Sequence, residues 1–175
     1  MNKKKGLLLF INVLLLFLLT GLDQFTKYMA VAKLKGKSDY IVWENVFELH
    51  YLENRGAAFG MLKNQKLFFV FIAVVIVTLI IYALIKMPAR KRFLPADILL
   101  VVIAAGALGN MIDRIRFNYV VDFFYFSLIN FPVFNVADIY VTVGTAVLII
   151  MILFYYKEDD FKCFRLQISK QDEAE

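Results

Sequence analysis

Four long apolar runs constrain the fold of this chain more than any other feature of its sequence. They cover residues 6–22, 67–85, 98–112 and 139–156, and none of the four contains a charged residue. A helix that spans a bilayer needs about 20 predominantly apolar residues, and its backbone groups must be paired within the helix because lipid offers no partners. The runs therefore predict an all-α membrane protein with four spans, at about 6–22, 67–85, 95–112 and 138–156.

The composition supports this assignment and excludes several other classes of protein. The chain is 61% hydrophobic and 20% charged, whereas soluble domains are about 45–50% apolar. It contains one cysteine, Cys163, and one histidine, His50, so an intramolecular disulfide is excluded, and zinc and haem sites lack their usual ligands. We therefore expect no metal and no cofactor.

The positive charges indicate the orientation of the spans. Lys3, Lys4 and Lys5 precede the first run, and residues 86–97 contain four basic residues, whereas residues 113–138 contain two. Cytoplasmic loops of membrane proteins carry the excess of Lys and Arg. The pattern places both termini and residues 86–97 in the cytoplasm and residues 23–66 and 113–138 outside. The basic residues of these segments, rather than the net charge of +5 as such, set the topology, and we expect no nucleic-acid partner.

The first run also resembles a secretory signal peptide, because basic residues precede it and Ala30-Val31-Ala32 follows it. However, the run exceeds the usual apolar region of about 7–15 residues, and Asp23 and Lys27 intervene before the alanines. An uncleaved anchor is the favoured interpretation. We expect one membrane domain over residues 1–160 and a cytoplasmic tail over residues 161–175.

The outer segment of residues 23–66 is too long for a bare connection between two helices. Residues 40–43 and 46–51 are rich in aromatic and β-branched residues with partial alternation, which is typical of strands. We therefore expect a small extracytoplasmic β element, at about residues 28–66, that rests on the outer surface of the membrane.

Residues 117–156 contain only two charged side chains, Asp122 and Asp138. An ionised aspartate at membrane depth costs about 2.5–3.5 kcal/mol on insertion scales, so such residues are usually functional or paired. Two adjacent carboxylates cannot easily both ionise, which gives one general base and one general acid, as in aspartic hydrolases. Alternatively, each aspartate pairs with an arginine, or Asp138 caps the fourth helix.

Five sequence motifs then occur in a fixed order along residues 23–138. They are Asp23-Gln24-Phe25-Thr26-Lys27, Asn54-Arg55-Gly56-Ala57-Ala58-Phe59-Gly60, Gly106-Ala107-Leu108-Gly109-Asn110-Met111-Ile112-Asp113-Arg114, Val120-Val121-Asp122-Phe123 and Phe131-Pro132-Val133-Phe134-Asn135-Val136-Ala137-Asp138. Each motif alone is weak. Together, on a chain with four spans, they resemble the lipoprotein signal peptidase (signal peptidase II) family of bacterial membrane aspartyl proteases.

The resemblance implies that Asp122 and Asp138 form the catalytic dyad. It implies a four-helix bundle with a β-cradle and a short, mobile periplasmic helix. It also implies substrate-binding or site-supporting roles for a set of residues in the other motifs: Asn54, Gly56, Asn110, Arg114, Asn135, Ala137, Asp23 and Lys27.

The expected substrate is a prolipoprotein whose cysteine already carries diacylglycerol, cut just before that cysteine at the outer face of the bacterial cytoplasmic membrane. Membrane lipids and globomycin-type inhibitors are the other expected partners, and we expect a monomer. One departure from the family pattern is Ile139, since a small hydroxyl residue commonly follows the second aspartate.

The motif residues also have purely structural interpretations. Asn54 suits a turn, Asn110 the C-terminus of a helix and Asn135 a helix cap. Asp113 and Arg114 could form an ion pair, whereas Asp23 and Lys27 have the i, i+4 spacing of a favourable helix pair. The glycines of residues 56–60 suit either a hinge or a tight turn.

Two other functions are compatible with aspartates in such a chain. A small transporter or ion-conducting protein would use them to relay protons or bind cations, but transport predicts acidic residues at mid-span and inverted repeats. A non-catalytic assembly subunit would leave the two aspartates without a role.

Overall fold

Four helices and one three-stranded sheet form the part of the chain that the structure, a computed structural model, describes: residues 3–56 and 65–164. The helices are α1 (Lys3–Leu34), α2 (Lys66–Lys86), α3 (Leu94–Phe117) and α4 (Val136–Phe154), and the strands are β1 (Tyr40–Trp43), β2 (Phe47–Asn54) and β3 (Val120–Tyr125). Short 3₁₀ turns cover Lys91–Phe93, Ser127–Ile129 and Glu158–Phe164.

All four helices are long and apolar enough to cross a membrane. Their burial pattern is the reverse of that in a soluble protein. On α1, for example, Asn12, Asp23 and Lys27 are buried while Phe10 and Phe17 are exposed. Polar side chains avoid lipid by facing the interior of the bundle, so this pattern confirms the predicted four-span membrane protein.

The first helix continues to Leu34, well beyond the predicted end of its apolar run at residue 22 and past the expected start of the β element at residue 28. The start of that element was therefore placed too early. The charged residues after the run do not end the helix, because Asp23, Lys27 and Ala30 lie on one face and are buried together. Residues at this spacing align along one side of an α-helix.

The sheet has the order β1-β2-β3, and both pairs of strands are antiparallel. Strands β1 and β2 form where the sequence predicts strands. Strand β3 was not predicted, because its pairing with β2 is long-range: Asn54 lies opposite Val120, and Leu52 opposite Asp122. The sheet therefore brings the end of the segment between α1 and α2 against the segment between α3 and α4.

The described residues between α1 and α2 contain no helix. The expected short periplasmic helix is not found among residues 35–56. Residues 57–64 lie outside the described part of the chain, as do residues 165–175 of the expected tail.

One end of the bundle is held together by basic residues from the cytoplasmic segments predicted above. Lys5 Nζ donates hydrogen bonds to the carbonyls of Leu84 and Met87 at the C-terminus of α2. A cation there satisfies carbonyls that have no partner within the helix. The Arg92 guanidinium lies 2.8 Å from the Asp160 carboxylate and links residues 86–97 to the last 3₁₀ turn.

Helices α3 and α4 pack closely because α3 presents glycine at the contact. A Cβ added to Gly106 would lie 2.5 Å from the carbonyl oxygen of Ala137 and 2.8 Å from Cγ2 of Val141. A Cβ added to Gly109 would overlap the Asp23 carboxylate of α1. These two glycines therefore allow α4 and the Asp23 side chain of α1 to approach α3 closely.

We predict that Gly106→Ala destabilises the protein by about 1–3 kcal/mol, the usual cost of overpacking a close contact. The matched control is Gly21→Ala, because Gly21 also lies in a helix and a Cβ there meets nothing within 4 Å. This control should be neutral or slightly stabilising, since alanine is the better helix former. Thermal unfolding in detergent micelles measures both, and an equal effect of the two substitutions would contradict this account of the packing.

Candidate active site

Asp122 and Asp138 line one cavity of about 430 Å³ where the sheet meets the ends of α3 and α4. Asp122 lies in β3 and Asp138 in the first turn of α4. The structure thus brings together the two carboxylates that the charge distribution singled out. Among the described residues, the others that line the cavity are Asn54, Gly56, Asn110, Arg114, Val120, Phe131, Pro132, Val133, Phe134, Ile139, Thr142 and Val143.

The Asp122 carboxyl group is almost completely buried and is held by two asparagines. Asn54 Nδ2 donates to Oδ2 at 2.8 Å, and Asn135 Nδ2 donates to Oδ1 at 2.6 Å. Burial raises the pKa of Asp122 to about 7, and the negative charge of Asp138 acts in the same direction, while the two asparagines oppose the shift. The carboxyl group can therefore hold or release a proton near neutral pH.

Asp138 is fixed by a capping box at the start of α4. Asn135 is the N-cap residue: its Oδ1 accepts from the Asp138 N–H at 3.0 Å, and Asp138 Oδ2 accepts from the Asn135 N–H at 3.0 Å. Asn110 Nδ2 donates to the remaining oxygen of Asp138 at 2.8 Å. The capping role considered for Asp138 therefore belongs to Asn135, and Asp138 occupies the third helical position of the motif.

Asn135 also joins the two aspartates to each other. Its side chain is fully buried, and its Nδ2 reaches Asn110 Oδ1 at 3.2 Å in addition to the Asp122 carboxylate. Neither aspartate forms an ion pair with a basic side chain among the described residues. The alternative in which each aspartate pairs with an arginine is therefore wrong, and the two carboxylates are held by neutral amides.

A buried ion cluster lies behind this arrangement. The ammonium group of Lys27 contacts Asp23 Oδ2 at 3.0 Å, Asp113 Oδ2 at 3.1 Å and Asn110 Oδ1 at 2.9 Å. Lys27 is 3% exposed, and these three acceptors match the three donors of an ammonium group. The expected pair between Asp23 and Lys27 is present, whereas the ion pair considered between Asp113 and Arg114 is not, because Asp113 faces Lys27.

Arg114 lines the cavity and contacts backbone carbonyls rather than Asp113. Its guanidinium donates to the carbonyls of Asn110 at 3.3 Å and Gly56 at 3.2 Å, and it lies 4.5 Å from the ring centroid of Phe69. The Gly56 N–H donates to Asn54 Oδ1 at 3.0 Å, so the predicted turn at Asn54 is present. Arg114 and Asn54 together hold the backbone of Gly56 at the edge of the cavity. Residues 57–60 of the expected hinge lie outside the described residues.

Two further residues, Ala137 and Asn110, complete the comparison with the sequence. Ala137 is fully buried, and its N–H donates to Asp23 Oδ1 at 3.0 Å. Asn110 was considered for a helix C-terminus, but α3 continues to Phe117, so its side chain projects from the body of the helix into the cavity.

Sequence reasoning missed Gln24 and Asp113 as members of the site. Gln24 Nε2 donates to Asp113 Oδ1 at 2.9 Å and to Asp23 Oδ2 at 3.2 Å. The signal that could have found Asp113 is its i, i+3 spacing from Asn110, which places both on one face of α3.

The site has the components of acid–base catalysis. Two carboxyl groups share a cavity, one has a pKa near 7, and amide donors hold both in place. Within the described part of the chain, no three His, Cys, Asp or Glu side chains are grouped as a metal site would require. A family model described as signal peptidase (SPase) II matches residues 15–154.

The chain belongs to the signal peptidase II family. It is 48% identical to the lipoprotein signal peptidase of Caldanaerobacter subterraneus subsp. tengcongensis over 134 residues, which cover 76% of this chain and 89% of the relative. It is 41% identical to the lipoprotein signal peptidase of Clostridioides difficile, over 82% of this chain and 95% of that protein.

Two solved structures of a bacterial membrane enzyme share the fold of this signal peptidase. One has a TM-score of 0.73 and 29% identity and covers 91% of this chain and 94% of its own. The other has a TM-score of 0.71 and 30% identity and covers 83% of this chain and 94% of its own. The family assignment makes the protein a multi-pass membrane protease and confirms the resemblance inferred from its motifs.

The position of Asp138 predicts a measurable effect on Asp122. Replacing Asp138 by Asn removes a negative charge that raises the pKa of Asp122, so this pKa should fall below about 7 while burial keeps it above the ordinary value. Asn54→Leu removes a hydrogen bond to the ionised form and should raise the pKa. Infrared difference titration of the carboxyl band, with Asp122→Asn as the reference, measures both, and a pKa that does not fall in Asp138→Asn would contradict the proposed proximity.

Proposed function

We propose that this signal peptidase is an aspartic endopeptidase that removes the signal peptide of lipoprotein precursors, with Asp122 and Asp138 as its catalytic residues. The single observation that carries the assignment of the residues is the presence of both carboxyl groups in one cavity. The substrate class is supported by the similar proteins, which are named lipoprotein signal peptidases.

The chemistry follows from one proton shared by two carboxyl groups. The ionised carboxylate takes a proton from a water molecule as the water oxygen attacks the scissile carbonyl carbon, and the protonated carboxyl group donates its proton to the carbonyl oxygen. The tetrahedral intermediate then collapses, the C–N bond breaks, and a proton passes to the leaving nitrogen. The raised pKa of Asp122 keeps one proton on the pair near neutral pH.

The lining of the cavity suits a peptide that lies partly in the membrane. Asn54, Asn110 and Arg114 provide hydrogen-bond donors and acceptors at its polar side, where an extended backbone can be held. On α4, Ile139, Thr142 and Val143 form a second, mainly apolar side. We assign this side to the apolar part of a precursor whose cysteine carries diacylglycerol, with cleavage just before that cysteine. Ile139 replaces the small hydroxyl residue common in the family and makes this side more apolar.

In this proposal the protein lies in the cytoplasmic membrane of a bacterium, with both termini in the cytoplasm and the site at the outer face; the distribution of Lys and Arg supports this orientation. A substrate anchored by its acyl chains can then reach the site by lateral diffusion among the membrane lipids. In this proposal residues 1–160 form a single monomeric peptidase domain, residues 161–175 form its tail, and globomycin-type cyclic peptides bind in the cavity.

The location of the aspartates favours proteolysis over transport. A transporter places its ionisable residues near the middle of its spans. Here Asp122 lies in a strand beyond the end of α3, and Asp138 lies in the first turn of α4. Both positions suit chemistry at the membrane surface.

The test is cleavage of a purified diacylglyceryl prolipoprotein by the purified protein in micelles. Asp122→Asn and Asp138→Asn should each lower kcat by about 10³-fold or more, because each removes a group that transfers protons in the reaction. The matched control is Asp39→Asn, since Asp39 is an exposed acid outside the cavity, and its activity should equal that of the wild type.

Two further measurements complete this test. Thermal unfolding shows whether each variant is folded, and a precursor without diacylglycerol should be cut poorly by the wild type. Near-normal cleavage by either dyad variant would disprove the assignment of the catalytic residues. Equal cleavage of the lipidated and unmodified precursors would disprove the proposed substrate class.

A further inference from the structure

Strand β3 is tied to a buried carboxylate one residue before Asp122. The N–H of Val121 donates to Asp113 Oδ2 at 3.1 Å, and Val121, Asp122 and Asp113 are all almost completely buried. The position of Asp113 therefore fixes the backbone that carries Asp122.

The same arrangement is repeated on α4. The N–H of Ala137, one residue before Asp138, donates to Asp23 Oδ1 at 3.0 Å, and Asp23 is fully buried. Each aspartate of the proposed dyad thus follows a residue whose backbone N–H is bound by a buried carboxylate from another element.

A single cation joins the two carboxylates. The Lys27 ammonium lies 3.0 Å from Asp23 and 3.1 Å from Asp113. We call Asp23, Lys27 and Asp113 the ion bridge. It links the backbone before Asp138 to the backbone before Asp122, through one helix turn of α1 and one residue of α3.

The remaining donor of Lys27 reaches the dyad through a side chain. Lys27 Nζ donates to Asn110 Oδ1, and Asn110 Nδ2 donates to Asp138 Oδ1. An ammonium group has donors and no acceptor, so the side-chain oxygen of Asn110, and not its NH₂ group, must face Lys27. The amide NH₂ of Asn110 is thereby turned towards Asp138.

The surroundings leave the ion bridge little freedom. Gln24 Nε2 spans both carboxylates, at 2.9 Å from Asp113 and 3.2 Å from Asp23. The Asp23 carboxylate occupies the space that a Cβ on Gly109 would fill. Both carboxylates around the ammonium group are buried, and a buried ion pair that loses one partner leaves an uncompensated charge.

We propose that Asp113 is a positioning residue for catalysis, and that the ion bridge sets the separation and orientation of Asp122 and Asp138. This proposal rests on the proposed function of those two aspartates. Asp113 does not touch the cavity. It acts through the N–H of Val121 on one aspartate and through Lys27 and Asn110 on the other.

The test compares Asp113→Asn with Asp97→Asn by cleavage of the lipidated precursor. Asparagine keeps an acceptor for the Val121 N–H and removes the negative charge. Asp97 is a matched control because it is also a fully buried acid of α3, without a hydrogen-bond partner among the described residues. It lies 16 positions from Asp113, or about 24 Å along the helix at about 1.5 Å per residue.

Asp113→Asn should lower kcat by about 10–100-fold, as expected when reacting groups are displaced by up to about 1 Å, with KM changed by less than about twofold. Its kcat–pH profile should also move to lower pH. Loss of a negative charge leaves Lys27 less neutralised, which favours the ionised form of Asp122. Asp97→Asn should retain the kcat and the pH profile of the wild type.

The pH profile is informative because the charged and titratable groups around the dyad are few in the described structure. Helix α1 contributes Asp23 and Lys27, α3 contributes Asp113 and Arg114, and α4 contributes Tyr140. Strand β2 contributes Asn54, which is neutral.

Gln24→Met provides a milder variant in case Asp113→Asn does not fold. It removes the amide that spans the bridge and leaves all three charges, so kcat per folded molecule should fall by about three- to tenfold, with an unchanged melting temperature as the criterion of folding. If kcat and the pH profile of folded Asp113→Asn or Gln24→Met equal those of Asp97→Asn, the ion bridge has only a structural role and the proposal is wrong.

The outcome is separable from that of the proposed function. Activity retained by Asp122→Asn would disprove the dyad itself. A dyad confirmed by its own variants, together with unaffected bridge variants, would disprove only the positioning role.

Discussion

The structure of the site depends on one buried cation. The ammonium group of Lys27 is surrounded by Asp23, Asp113 and Asn110 at 2.9–3.1 Å, so all of its donors are used inside the protein. Desolvating a charge costs several kcal/mol, which only close partners with good geometry can offset. The elements that supply these partners, α1 and α3, must therefore meet at one fixed distance, and the cavity forms beside that contact.

Other features of the fold follow from the same requirement. Helix α1 continues past its apolar run because Asp23 and Lys27 face inward. Gly109 has no side chain because the Asp23 carboxylate lies against it. The N–H of Val121 donates to the Asp113 carboxylate, and the N–H of Ala137 donates to the Asp23 carboxylate. Strand β3 and helix α4 are therefore both anchored to the ion bridge. In a membrane protein, where apolar burial does not distinguish the inside from lipid, polar contacts of this kind specify which helices pack together.

Features encoded locally could be predicted from the sequence. The four spans follow from uninterrupted apolar runs, and Asp122 and Asp138 stand out because residues 117–156 contain no other charge. Strand β3 could not be predicted, since its hydrogen bonds go to β2, far along the chain. An ion pair between Asp113 and Arg114 was considered because the two are neighbours in sequence. In the structure Asp113 instead pairs with Lys27 of α1, a contact that sequence proximity does not reveal. A helix end was considered as the structural alternative for Asn110 although it lies within α3, because no local signal marks a side chain whose partners are on other elements.

The most direct measurement of the central claim is a double-mutant cycle on kcat between Asp113→Asn and Asn110→Ala. If Asp113 acts on Asp138 through Lys27 and Asn110, its substitution should have a smaller effect on kcat once Asn110 is absent, and the coupling free energy should be at least about 1 kcal/mol. Losses in kcat that multiply, with a coupling free energy near zero, would show that Asp113 and Asn110 act independently and would contradict the account.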